Sequence, residues 1–130
     1  MATVDLAAGG APLTVLSEDE QMFRDAVRQF AEEDVRPRVH AMDEAQQMDA
    51  GLIPQFFELG LMGIEVPEEL GGAGSSFFTA ALVVEELSRV DASVGVFVDV
   101  QNTLVNNAFL RWGSGDLKAR YLPQLASEKV

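Results

Sequence analysis

Apolar positions recur at helical spacing along most of this chain. Phe23, Ala26, Val27, Phe30 and Ala31 fall on one face of a 3.6-residue repeat. Ser17 followed by Glu20 forms a capping-box pair, in which each side chain satisfies a backbone N–H of the first turn, so a first helix is expected to start there and to stop at Pro37. Residues 39–47 read as a short helix. Residues 52–61 read as another, with Pro54 tolerated in the first turn and Gly60 and Gly63 marking the end. The stretch VPEELGGAGSS, residues 66–76, opposes regular structure through Pro67 and the close glycines Gly71, Gly72 and Gly74, and reads as a loop. Ala80, Val83, Val84 and Leu87 then form the stripe of a helix over residues 77–90, and residues 116–126 read as a last helix with Pro123 near its end.

Between these two helices the pattern fits two templates. Val94, Val96, Val98 and Val100 alternate strictly, which slightly favours a short strand. Phe97, Val100, Leu104, Val105 and Ala108 also share one helical face, and that reading extends to Gly113 as a helix-ending signal. Periodicity leaves both open.

A length of 130 residues, 48% of them apolar, bounds the chain to one globular domain with a modest core. Residues 1–15 are small and turn-prone and read as a mobile leader. The net charge of −12 repels nucleic-acid phosphates and anionic lipid surfaces, so neither is an expected partner. With no cysteine there is no disulfide, thiolate or Cys-ligated zinc chemistry. No targeting peptide and no apolar run of about 20 residues is visible, and the expectation is a soluble, cytoplasmic protein.

Isolated chemical candidates carry little. Gly71, Gly72 and Gly74 ahead of a helix suggest a phosphate cradle, but no P-loop lysine follows and Glu68 and Glu69 would repel an anion, so a structural turn is the better reading. His40 is the one histidine and has no acidic residue at metal-ligand spacing, so no metal site is expected. Glu85 and Glu86 diverge by about 100° on a helix and cannot act together on one substrate; solvation or pairing with Arg89 is expected. The run Glu32, Glu33, Asp34 reads as a solvated face.

Four ordered blocks go further. LSEDEQMFRDAVRQFAEEDVRP, LGLMGIEVPEELGGAG, VVEELSRVDASVGVFVDVQNTLV and WGSGDLKARYLPQLASEKV together resemble the acyl-CoA dehydrogenase family, most closely its short/branched-chain members. The resemblance implies an all-α fold, a bundle of about six helices over residues 16–130 equivalent to the family's N-terminal domain, and it decides for helix at residues 94–100. It further implies an FAD-dependent parent enzyme that converts an acyl-CoA to the trans-2-enoyl-CoA and passes electrons to an electron-transfer flavoprotein. That parent is expected to be a homotetramer, with its flavin-binding segments and catalytic base in middle and C-terminal domains absent from this chain. Within the chain, the resemblance implies that Phe97, Val100, Gln101 and Leu104 line the acyl-chain pocket. The alternatives are a butyryl-CoA type of the same family, or a free-standing helical module that binds a partner through apolar faces.

Overall fold

In a computed structural model that describes Pro12 and residues 15–127, seven α-helical segments follow one another and no strand occurs among the described residues. The leader expected over residues 1–15 lies, but for Pro12 and Val15, outside the described residues. The first helix, α1 (Glu18–Phe30), starts at the capping box: Ser17 N–H donates to Glu20 Oε2 at 2.8 Å and Glu20 N–H donates to Ser17 Oγ at 3.2 Å. Glu18, Asp19 and Glu20 in its first turn complement the positive end of the helix dipole.

Pro37 does not stop this helix. The chain widens into a π-helical turn at Ala31–Val35, tightens into a 3-10 turn at Arg36–Arg38, and runs on as α2 (Val39–Ala45). Pro37 has no N–H to donate, and it is held within the rod where the π-helical turn before it passes into the 3-10 turn. The rod ends at Gln46, which takes the left-handed conformation (φ 50°). Next come α3 (Leu52–Glu58), a loop containing a 3-10 turn at Glu68–Leu70, and α4 (Phe77–Ser88), capped by Ser76.

Residues 94–100 are helical. All but Val100 belong to α5 (Ala92–Asp99), which Asp91 caps by accepting the Val94 N–H at 2.9 Å. Through a π-helical stretch, Val100–Asn106, this helix continues into α6 (Asn107–Trp112), and α7 (Gly115–Leu125) closes the fold. The strict valine alternation misleads because only Val94 and Val98, four apart, are buried, while Val96 and Val100 face outward.

The core sits where α1, α3, α4 and α5 meet. Phe56 at its centre packs edge-on against Phe30, with ring centroids 5.9 Å apart, and against Phe97 at 5.8 Å. Leu52, Leu61, Ile64, Val83, Leu87, Val94 and Val98 close around these rings. Gly95 lets α5 approach α4: a Cβ there would stand 2.0 Å from Ser88 Oγ.

One polar interaction joins α1 to α4. Glu86, expected to be solvated or paired with Arg89, is buried in the helix interface and gripped by Arg28, whose Nε and Nη2 donate to its two carboxylate oxygens at 2.9 and 2.7 Å. Arg89 does pair with it, at 3.1 Å, and also reaches Glu32 at 3.2 Å. Glu32 in turn pairs with Arg36, and Glu33, though exposed, accepts from the Gln29 amide at 3.2 Å, so two members of the acidic run are engaged. The burial of Glu86 follows from its position one turn after Val83 and beside Leu87, both buried. Hydrogen bonding from Arg28, then its charge, holds the Glu86 carboxyl below its ordinary value of 4.5.

The sign of the pH effect follows. Above pH 4.5 the native carboxylate is ionised and paired. As the pH falls below 4.5 the unfolded chain takes up the proton first, and stability is lost until the lower native value is passed. Glu86→Gln is therefore expected to cost about 1–2 kcal/mol at pH 7, less than a fully buried pair because Arg28 is half exposed. It should also lose less stability than the wild type between pH 5 and pH 3 (about two units across the carboxylate range). Thermal unfolding across that range checks both.

Candidate functional site

Residues 61–66 form an irregular segment that is almost wholly buried: Leu61, Ile64 and Val66 are fully buried and Met62 is 3% exposed. Buried peptide groups without helix or sheet partners must find others. Here the partners come from two directions. The glycine loop supplies backbone donors, Ala73 N–H to Gly63 C=O, Ser75 N–H to Ile64 C=O and Gly74 N–H to Val66 C=O, all at 2.8–2.9 Å. The α5–α6 rod supplies amide side chains. Asn102 donates to Leu61 C=O at 2.7 Å and accepts from Ile64 N–H at 3.0 Å, and Asn106 donates to Met62 C=O at 2.8 Å.

The same amides account for the π-helical stretch. Asn102 Nδ2 also donates to Val98 C=O at 2.9 Å, and the Thr103 hydroxyl donates to Asp99 C=O at 2.9 Å. Side-chain donors thus occupy carbonyls that α-helical N–H groups would take, and the backbone bonds slip by one residue, as where Asn107 N–H donates to the carbonyl of Asn102.

This clamp fixes one side of a hollow of about 370 Å³ lined by Met48, Met62, Ser93, Val96, Phe97, Val100 and Gln101. The size lies toward the lower end for small-molecule sites. Its lining is apolar apart from Ser93 and Gln101, and the Gln101 amide is turned toward α7, donating to Leu125 C=O at 3.2 Å. The structure thus brings Phe97, Val100 and Gln101 together. Leu104 is not part of the lining; it is 64% exposed, one turn farther along the outward face. The helical face read from Phe97 through Ala108 is consequently not the core face. The inward row is Val94, Val98, Asn102 and Asn106, and Ala108 is exposed.

Met48, Met62, Ser93 and Val96 were not foreseen as lining residues, since all four lie outside the apolar stripe and two come from distant loops. Asn102 and Asn106 were missed as well, although amides at a four-residue interval inside an apolar helix are a signal of buried backbone nearby.

The remaining candidates have structural explanations. In the glycine loop, Gly71 and Gly74 have φ of 87° and 60°, and a Cβ on Gly72 would stand 2.0 Å from Val66 O. The N–H groups of residues 71–75 are all spent on loop carbonyls, leaving none for a phosphate. His40 is exposed and lies 3.5 Å from Glu44, so an acidic residue does share its helical face one turn on, contrary to the expectation. No group of three or more metal-ligating side chains assembles among the described residues. A second hollow of about 360 Å³, between α2 and the start of α5, carries Asp43 and Asp91 on its lining and suits an apolar group less well.

Comparison with known proteins gives one consistent picture. Residues 17–129 match the family model described as acyl-CoA dehydrogenase, N-terminal domain. The chain is 48% identical over 120 residues to the short/branched chain specific acyl-CoA dehydrogenase of Bos taurus mitochondria, covering 92% of this chain and 28% of that protein. Among solved structures, butyryl-CoA dehydrogenase from Megasphaera elsdenii superposes with a TM-score of 0.80 at 28% identity, over 86% of this chain and 30% of that one. A glutaryl-CoA dehydrogenase from Mycobacterium smegmatis in complex with FADH2 gives 0.79 at 31% identity, over 86% and 29%. The chain therefore spans less than a third of the length of these relatives.

The amide clamp has a measurable consequence. Asn102→Leu keeps the branched four-atom outline of the side chain but leaves Leu61 C=O and Ile64 N–H buried without partners, at about 1–3 kcal/mol for each group. A total loss of at least about 2 kcal/mol is expected in urea unfolding with an unchanged m-value. A loss below about 0.5 kcal/mol would show that the clamp contributes little.

Proposed function

Because this chain belongs to the acyl-CoA dehydrogenase family and matches its N-terminal domain, we propose that it serves as that domain in an FAD-dependent short/branched-chain acyl-CoA dehydrogenase and forms one wall of the acyl-chain pocket. The observation that carries the reading is the apolar hollow at Met62, Phe97, Val100 and Gln101. An acyl chain has no polar groups to satisfy, so burial against such a surface is its whole demand on the protein. Phe97 forms the floor, held by its packing on Phe56. Val100 and Gln101 form the side, and Leu104 extends the wall one turn beyond the hollow.

The phosphate-bearing end of coenzyme A is placed elsewhere by charge. No cation lines the hollow, and with a net charge of −12 the chain repels the phosphates of coenzyme A. For the same reason the residues of the hollow do not fit an FAD, whose pyrophosphate would have no partner there. Oxidation across the Cα–Cβ bond, which yields the trans-2-enoyl-CoA, therefore takes place in the assembled enzyme, with flavin and catalytic base supplied by other segments and an electron-transfer flavoprotein as acceptor. The role of this chain is to bind and to select. The assembled enzyme is proposed to be a homotetramer. No helix among the described residues is long and apolar enough to cross a membrane; a cytoplasmic location is proposed from the sequence.

Two neighbouring readings make different demands. A butyryl-CoA type of enzyme would take a straight C4 chain in preference to a branched C5 chain. A free-standing interaction module would leave catalysis unaffected by the hollow, and the 87% exposure of Trp112 is the feature in its favour.

The test is kcat/KM for C4, branched C5, C6 and C8 acyl-CoA in the full-length enzyme with Val100→Ala and Leu104→Ala. Space opened beside a short chain is filled by a longer one at about 1 kcal/mol per methylene, so longer chains should gain several-fold in relative kcat/KM, more for Val100→Ala than for Leu104→Ala. Neither residue is buried, so little of the roughly 2–5 kcal/mol loss of a core truncation should accompany the change. Unchanged preference ratios in both variants would remove these residues from the substrate site.

A further inference from the structure

We propose that Asn106 is a positioning residue of this pocket, setting the separation of its Met62 and Gln101 walls without lining it; the proposal rests on the acyl-pocket reading above. Asn106 is 1% exposed and takes no part in the hollow's surface. Its Nδ2 donates to Met62 C=O at 2.8 Å, and its Oδ1 accepts from Gln101 Nε2 at 3.5 Å. One amide therefore joins two lining residues that are 39 positions apart in the chain, as their numbers show.

The π-helical stretch makes the bridge possible. On an α-helix, side chains three and four apart are neighbours and those five apart are not. Over Val100–Asn106 the backbone repeat is one residue longer, which brings Gln101 and Asn106 into one row. The same Gln101 amide nitrogen donates to Leu125 C=O at 3.2 Å, so its side chain is held between Asn106 and the end of α7.

Met62 needs such an anchor more than most residues. Its side chain is unbranched and adaptable, so the place of its thioether is set largely by where its backbone is fixed. With the Asn106 bridge removed, Met62 C=O loses its side-chain partner, Gln101 keeps only Leu125, and the two walls are free to part. A wider gap favours longer acyl chains.

The experiment measures kcat/KM for butyryl-CoA and octanoyl-CoA in the FAD-loaded full-length enzyme with Asn106→Leu and with Asn106→Ser. Leucine keeps the branched four-atom outline and removes both hydrogen bonds; serine is smaller, cannot span to Met62, and carries the test alone if the leucine variant does not fold. Leu87→Ala, a truncation in the core beside α1, serves as the control for stability loss alone. The expected result is an octanoyl-to-butyryl ratio raised at least about threefold in the Asn106 variants, with the ratio unchanged in Leu87→Ala at a comparable drop in Tm. A ratio in the Asn106 variants that stays with the Leu87→Ala control, while Val100→Ala shifts it, overturns the positioning role and leaves the pocket reading standing. A ratio unmoved by Val100→Ala as well overturns the pocket reading and the positioning role together.

Discussion

Burying an irregular stretch of backbone is the constraint on which the rest of this structure depends. Residues 61–66 run through the interior without helical or sheet pairing, and each peptide group there would cost about 1–3 kcal/mol if left without a partner. The glycine loop satisfies one edge, and Asn102 and Asn106 satisfy the other. Two further features follow from that solution. Gly72 is required because the loop must lie against Val66 O, and the α5–α6 rod must turn amides rather than aliphatic side chains toward the core over its middle turns.

A second device fixes the helices around this segment. Arg28, Glu86 and Arg89 tie α1 to α4 by charge-assisted bonds in a region that Phe30 and Leu87 keep apolar. A buried carboxylate is poor evidence of stability in itself, since a hydrophobic pair of the same shape often does as well. Its effect lies in register: two bidentate planes meet in one relative position of α1 and α4, whereas apolar side chains would accept several. With α4 fixed, the close approach at Gly95 fixes α5, and with it the wall formed by Phe97, Val100 and Gln101.

How much of this is legible in the sequence depends on whether local chemistry or tertiary pairing decides. The capping box at Ser17 and Glu20, the glycine loop after Pro67 and the helices α3, α4 and α7 are written in nearby residues, and each appears close to where those residues place it. Pro37 was misread because the π-helical turn before it, which lets the helix continue, has no simple sequence mark. The α5–α6 face was misread for a deeper reason. A helical wheel assigns apolar residues to the interior, and here Leu104 and Ala108 face out while Asn102 and Asn106 face in. Glu86 was misread in the same direction, its partner Arg28 being 58 residues away. In each case a polar side chain is inside because a distant group waits for it, and no window of local sequence contains both. Of the pocket, only the family resemblance pointed to Phe97, Val100 and Gln101; Met48 and Met62 join them through the fold alone.

The inverted α5–α6 helix then bears on function. Its inner row passes from the core valines Val94 and Val98 to Asn102 and Asn106, which hold buried backbone, while its outer row, Val96, Val100 and Leu104, is exposed and stands outside the core that Phe56 and its neighbours fill. Outward apolar side chains at four-residue intervals are an expense to a protein surface unless something covers them. An acyl chain alone would cover the part at Val96 and Val100, where the hollow lies, and would leave Leu104 and Trp112 open. The wall therefore divides into two portions of different character. The first is shaped, backed by Phe97 and Met62 and sized for a small apolar group. The second, at Leu104 and Trp112, is more exposed and lies beyond the lining of the hollow. If Val100 selects chain length and Leu104 does so more weakly, the difference is already written in this division: one residue borders a cavity of defined volume, and the other borders whatever closes over it.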